Sequence, residues 1–90
     1  MPLINKNVIN KNVIEKIRNF MKKTFNVSIN TIPDEREFIH NFNLPRESLI
    51  IYIFDMNKNL CYFEIEEVDL NRIRINFLEL GNYVVKIVGV

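Results

Sequence analysis

Few residues in this sequence have the type and spacing to do chemistry. Asp55-Met56-Asn57-Lys58-Asn59 has the D-x-N-x-N spacing that opens a calcium-binding loop, and Glu66 falls at its twelfth position. Such a loop needs glycine at its sixth position for the sharp turn, and that position is Leu60. A turn held by Asx side chains accounts for the same string, so no metal is expected there. Glu64, Glu66, Glu67 and Asp69 form an acidic run, in which Glu64 and Glu66 would stand about 7 Å apart on one face of a strand. A carboxylate pair of this kind can hold a divalent ion or move protons. No histidine or second acidic cluster adjoins it, and solvation of an exposed strand face is the simpler role.

His40 is the only histidine and Cys61 the only cysteine, so any Ser–His–Asp or Cys–His arrangement must be built on His40. The expected place of His40 is exposed, near a helix C-terminus, where the helix dipole favours it. Cys61 shares a strand face with Phe63 and Ile65 and is expected to be a small core residue. No glycine-rich loop is present to cradle phosphate. No catalytic, cofactor-binding or metal-binding residue is assigned, no cofactor or small-molecule substrate is expected, and the chain is not expected to be an enzyme.

The basic residues are more suggestive. Lys16, Arg18, Lys22 and Lys23 would share the polar side of a first helix, and Arg72 and Arg74 one face of a later strand, as a surface tracking phosphates requires. Tyr52 and Tyr62 could stack on bases if they lay on one sheet surface. The overall charge is only +1, from 12 basic and 11 acidic side chains, which supplies no general attraction to polyanions or anionic membranes. Pairing of Glu64 and Glu66 with Arg72 and Arg74 across strands is the competing explanation.

The elements that must position these residues fit one domain over residues 1–90, with 1–11 read as a flexible N-terminal segment. A hydrophobic fraction of 48%, carried mainly by Ile, Val, Leu and Phe, is ample for a core. Asn12 and Glu15 form a capping box ahead of an apolar stripe of Val13, Ile14, Ile17, Phe20, Met21 and Phe25, with Asn26 as the stop, which predicts a first helix. Val27 and Ile29 suggest a short extended segment. Thr31, Pro33 and Asp34 then predict a second helix carrying Phe38, Ile39 and Phe42 on its buried side.

Leu49 to Phe54 is apolar on both faces and predicts a strand covered on both sides. A turn over Asp55 to Asn59 would make it a hairpin with a half-buried strand carrying Cys61, Phe63 and Ile65. Val84 to Val88 predicts a final strand. Asp69 to Leu80 fits either a helix ended by Gly81 or a strand followed by a turn at Gly81-Asn82. Ile75, which would lie opposite the helical stripe, favours the strand.

The expected fold class is therefore α+β, with two N-terminal helices packed on a mostly antiparallel sheet of three or four strands. The order is α-α-β-β-β-β, with α-α-β-β-α-β as the alternative. Two short helices cannot cover both faces implied by Leu49–Phe54. This surplus points to a small non-catalytic protein-interaction or regulatory module that self-associates as a homodimer or docks on a protein partner, with Val85 and Ile87 as candidate interface residues. The alternative is nucleic-acid binding through Lys16, Arg18, Lys22, Lys23, Arg72 and Arg74. A lone cysteine and the absence of a membrane-length apolar run predict a cytoplasmic, reducing location without membrane insertion.

Overall fold

The computed structural model of the chain describes residues 21–90. Six strands occupy most of them: β1 (Lys22–Ile29), β2 (Asp34–Ile39), β3 (Leu49–Phe54), β4 (Glu64–Asp69), β5 (Arg72–Phe77) and β6 (Gly81–Gly89), with a single 3-10 turn at Arg46–Ser48. They form two antiparallel three-stranded sheets, ordered β1-β6-β3 and β2-β5-β4. No α-helix occurs among the described residues. The expected α+β class, with helices packed on one sheet, is thereby corrected to two sheets whose apolar faces meet.

The reasons are local. From Phe25 the chain alternates Phe25, Val27 and Ile29 with Asn26 and Ser28, so the period of two begins before the expected helix stop, and Lys22 and Lys23 lie in β1. The part of the first helix expected over residues 12–20 lies outside the described residues, as does segment 1–11. The second helix is replaced by β2, because its charged residues have better partners across a strand than along a helix. Glu37 stands opposite Arg74, and Phe38 opposite Ile73. Asp69 to Leu80 takes the strand form, with Ile73, Ile75 and Phe77 wholly buried in β5.

The connections explain why the sheets close on each other. Only β4 and β5 form a hairpin; every other connection carries the chain from one sheet to the other. The hairpin expected after β3 makes one bridge, Phe54 to Leu60, and then leaves for the second sheet. Gly81 and Asn82 likewise begin β6 in the opposite sheet and do not turn β5 back on itself. The four connections β1–β2, β2–β3, β3–β4 and β5–β6 thus cross between the layers, and β5 and β6 take the centre of their sheets.

Between the layers lies an aromatic cluster. The Phe77 ring is 5.2 Å from Tyr83, 5.3 Å from Phe63 and 6.4 Å from Phe38, while Phe25 meets Phe38 at 5.2 Å. Tyr83 is buried, which raises its phenol pKa, and its hydroxyl donates to the Glu79 carbonyl at 3.0 Å. Val85 and Ile87 are 0% exposed, inside this core and not at an outer surface. Val84–Val88 is also the middle of its sheet, between β1 and β3, so it offers no free ladder edge.

Two outcomes follow for stability. Phe77→Ala should cost about 3–5 kcal/mol, as expected for deleting a buried aromatic. Val85→Lys and Ile87→Lys should abolish cooperative unfolding instead of merely separating subunits, because each buries an unpaired charge. Urea denaturation followed by circular dichroism measures both, and a folded Val85→Lys protein with the parent midpoint would contradict this placement.

Candidate functional site

With the inner faces largely buried, the extended surfaces that the described strands present are the two outer sheet faces, and these differ in chemistry. On the second sheet the cross-strand rows are Glu37–Arg74–Glu66, Glu35–Asn76–Glu64 and Ile39–Arg72–Asp69. Arg74 is held by Glu66 and by Glu37, the latter at 3.1 Å. Arg72 is held by Asp69 at 2.8 Å and lies 3.5 Å from Glu37. The hydrogen bond from Arg72, followed by that from the Asn71 backbone, lowers the Asp69 pKa, while carboxylate partners raise both arginines. This surface satisfies its own charges and carries more carboxylates than guanidiniums.

The four described basic residues singled out in the sequence, Lys22, Lys23, Arg72 and Arg74, are not assembled on one face. Lys22 and Lys23, as neighbours on β1, point to opposite faces of the first sheet, and Arg72 and Arg74 are on the second sheet in ion pairs. Lys16 and Arg18 lie outside the described residues. Tyr62, 87% exposed, sits in the connection that crosses between sheets and not on a strand with Tyr52.

The first sheet is different. Its outer rows are Ile50–Val88–Lys22, Tyr52–Lys86–Thr24 and Phe54–Val84–Asn26. On the β3 and β6 side this surface is apolar: Ile50 is 42% and Tyr52 39% exposed, and Phe54, Val84 and Val88 are half-buried. Tyr52 stacks on Phe54 at 6.0 Å, and the Lys86 ammonium sits 5.7 Å from the Phe54 ring centre. Beyond them Phe54, Asp55, Met56, Lys58, Val84 and Lys86 line an open groove of about 450 Å³. The signal for this patch was in the sequence, in the two-faced apolar run Leu49–Phe54. Val84, Lys86 and Val88 were missed because Val85 and Ile87 drew attention to the wrong face.

The sheet edge beside the patch is closed at both ends. The Cys61 N–H donates to the Ile53 carbonyl at 2.7 Å, and Arg46 Nη1 donates to the Leu49 carbonyl at 3.2 Å. These bonds leave little of β3 free for strand addition, so its outer face is the more available surface.

The calcium-like string is an Asx turn. Asp55 Oδ1 accepts the backbone N–H groups of Asn57 and Asn59, both at 2.9 Å, and Lys58 takes a positive φ of 65°. Glu66, its would-be twelfth ligand, is bound to Arg74. Among the described residues no group of His, Cys, Asp and Glu is arranged to hold a metal ion. Cys61 is a free, half-buried thiol packed against the core, with its pKa raised chiefly by burial.

His40 is the largest departure from expectation. It is 1% exposed, at the end of β2 and not on an exposed helix. The alternation Phe38, His40, Phe42 would have placed it inward had this segment been read as a strand. Its Nδ1 accepts the Phe42 N–H at 3.0 Å, and its Nε2 has no hydrogen-bond partner among the described residues. Comparison with family models, curated proteins and solved structures finds no match for this chain.

Burial holds the His40 pKa below its usual value, with Asp69 pulling the other way. The unfolded chain therefore binds a proton at about pH 6.5 that the folded chain still refuses. Stability should be full above about pH 6.5 and decline as pH falls from there toward the lowered folded value. The urea midpoint should be lower at pH 5.5 than at pH 7.5, and His40→Asn should narrow the difference. An unchanged midpoint in the parent protein would show that the buried imidazole is not destabilised by protonation.

Proposed function

We propose that the protein is a small non-catalytic interaction module that self-associates through the outer face of its first sheet. The observation carrying this reading is the cluster Ile50, Tyr52, Phe54, Val84 and Val88 around Lys86, beside the polar β1 residues Thr24, Asn26 and Ser28. Protein interfaces are enriched in aromatic side chains and rimmed by polar ones, and the one charge within this cluster, Lys86, sits by the Phe54 ring.

A second copy is favoured as occupant by symmetry, since a two-fold contact needs only one self-complementary patch on each chain. If two such faces stack about a two-fold axis with their β3 strands antiparallel, the Phe54–Val84 row of one meets the Ile50–Val88 row of the other. A stable contact of this type buries upwards of about 1,000 Å² in total.

The nucleic-acid alternative has less support, since Arg72 and Arg74 already have carboxylate partners. No helix among the described residues is long and apolar enough to cross a membrane. The unpaired Cys61 supports a reducing, cytoplasmic setting.

Sedimentation equilibrium over a wide concentration range tests the proposal. The parent should pass from monomer to dimer, and Tyr52→Glu or Ile50→Lys should weaken association at least about tenfold while leaving the circular dichroism unchanged. A folded, concentration-independent monomer would overturn it, and a salt-dependent shift of oligonucleotides would favour the alternative.

A further inference from the structure

His40 sits where two connections are fastened together. Its own N–H and that of Asn41 both donate to the Asn71 carbonyl, at 2.9 and 3.2 Å, and Leu44 N–H donates to the Leu70 carbonyl at 2.8 Å. Asn43 N–H donates to Asn71 Oδ1 at 2.7 Å, and Asn71 N–H in turn to Asp69 Oδ1 at 2.8 Å. Segment 40–45 is thus bound to the β4–β5 turn, with Asn41 and Asn43 both held at positive φ, 62° and 55°. The imidazole is the interior pin of this assembly: it lies 5.0 Å from the Phe42 ring, tilted by 38°, and accepts that residue's N–H.

Only a neutral ring with a bare Nδ1 can accept that bond. Adding a proton there sets N–H against N–H at a residue 1% exposed, and leaves a charged group whose Nε2 N–H has no partner among the described residues. The charged groups nearby offer little relief. Asp69 attracts the cation, but it is already bound to Arg72, which also lies near Glu37; Glu67, at the far end of the segment, accepts the Arg46 backbone N–H at 2.6 Å.

We propose that His40 is a pH-sensitive latch, whose protonation at Nδ1 breaks the bond from Phe42 N–H and frees segment 40–45 from the 69–71 turn while both sheets stay folded. The proton passes from solvent to Nδ1 as the segment opens and exposes the ring, and the freed backbone N–H groups pass to water. The freed segment carries Phe42 and Leu44, which pack against the core when the latch is shut, so acidification presents a new apolar surface. Local opening of this kind is cheap in comparison with breaking the β5–β6 core, because the segment is fastened by backbone bonds at the surface.

The test uses the parent chain, followed by NMR from pH 7.5 to 4.5. The His40 ring resonances report protonation, and amide exchange corrected for intrinsic pH dependence reports opening. His40, Asn41, Phe42 and Leu44 should lose protection together, at least about tenfold, over the pH range in which the ring titrates, which should lie below 6.5. The β6 amides that pair with β1 and β3 should keep theirs. His40→Asn, which retains an acceptor near Nδ1 but does not titrate in this range, should abolish the transition if it folds. Ring titration at about 6.5 with the four amides unchanged would overturn the proposal. So would loss of β6 protection at the same pH or a higher one, which would mean global acid unfolding without a latch. Neither outcome depends on whether the protein self-associates.

Discussion

The packing of β5 against β6 across the interior is the contact on which the remaining structure depends. These strands are neighbours in sequence, yet each is the centre of a different sheet, so the short connection between them fixes how the two layers face each other. Phe77 and Tyr83 meet across it, the Tyr83 hydroxyl binds a carbonyl of the connection, and Gly81, at φ 146°, lies against the Tyr83 ring. A side chain at that φ would be strained, which suits glycine to the place where the chain changes layers. Once β5 and β6 are set, β2 and β4 flank one, and β1 and β3 flank the other.

The same arrangement sorts the outer surfaces. Alternation in β5 sends Arg72, Arg74 and Asn76 outward, where acidic residues of β2 and β4 meet them, so that face is closed electrostatically. Alternation in β6 sends Val84, Lys86 and Val88 outward, where β3 adds Ile50, Tyr52 and Phe54. One layer thus ends in a neutralised polar surface and the other in apolar area with few charges. That contrast, more than any catalytic grouping, underlies the proposal that the first sheet serves recognition.

Much of this was legible locally and some of it was not. Leu49–Phe54, the face pattern of Arg72–Phe77 and the β-branched run Val84–Val88 carry their own period, and each is a strand in the structure. In β1 and β2 the period competes with good capping residues, and what decides is a partner far along the chain: Val85 opposite Phe25, Arg74 opposite Glu37. Local propensity had no access to either. The sheet to which a strand belongs was equally hidden, because Asp55–Asn59 turns like a hairpin loop but Phe63 is drawn across to Phe77 and Tyr83. The apolar excess in β3 was visible, whereas its location on the outer side of a two-layer core required the topology.

The arching connections also set the order in which the chain can be completed. The β4–β5 hairpin closes through a short local turn, but the first sheet joins Lys22 to Val88 and Leu49 to Gly89, so neither β1 nor β3 has a ladder partner until β6 exists. Such high contact order slows folding. During synthesis on a ribosome, the Leu49–Phe54 segment would emerge with its backbone unpaired and its apolar faces uncovered, a six-residue stretch of high β-propensity. The late arrival of one central strand therefore leaves the nascent chain open to aggregation, and a chaperone able to shield β3 during that interval would raise the yield of folded protein.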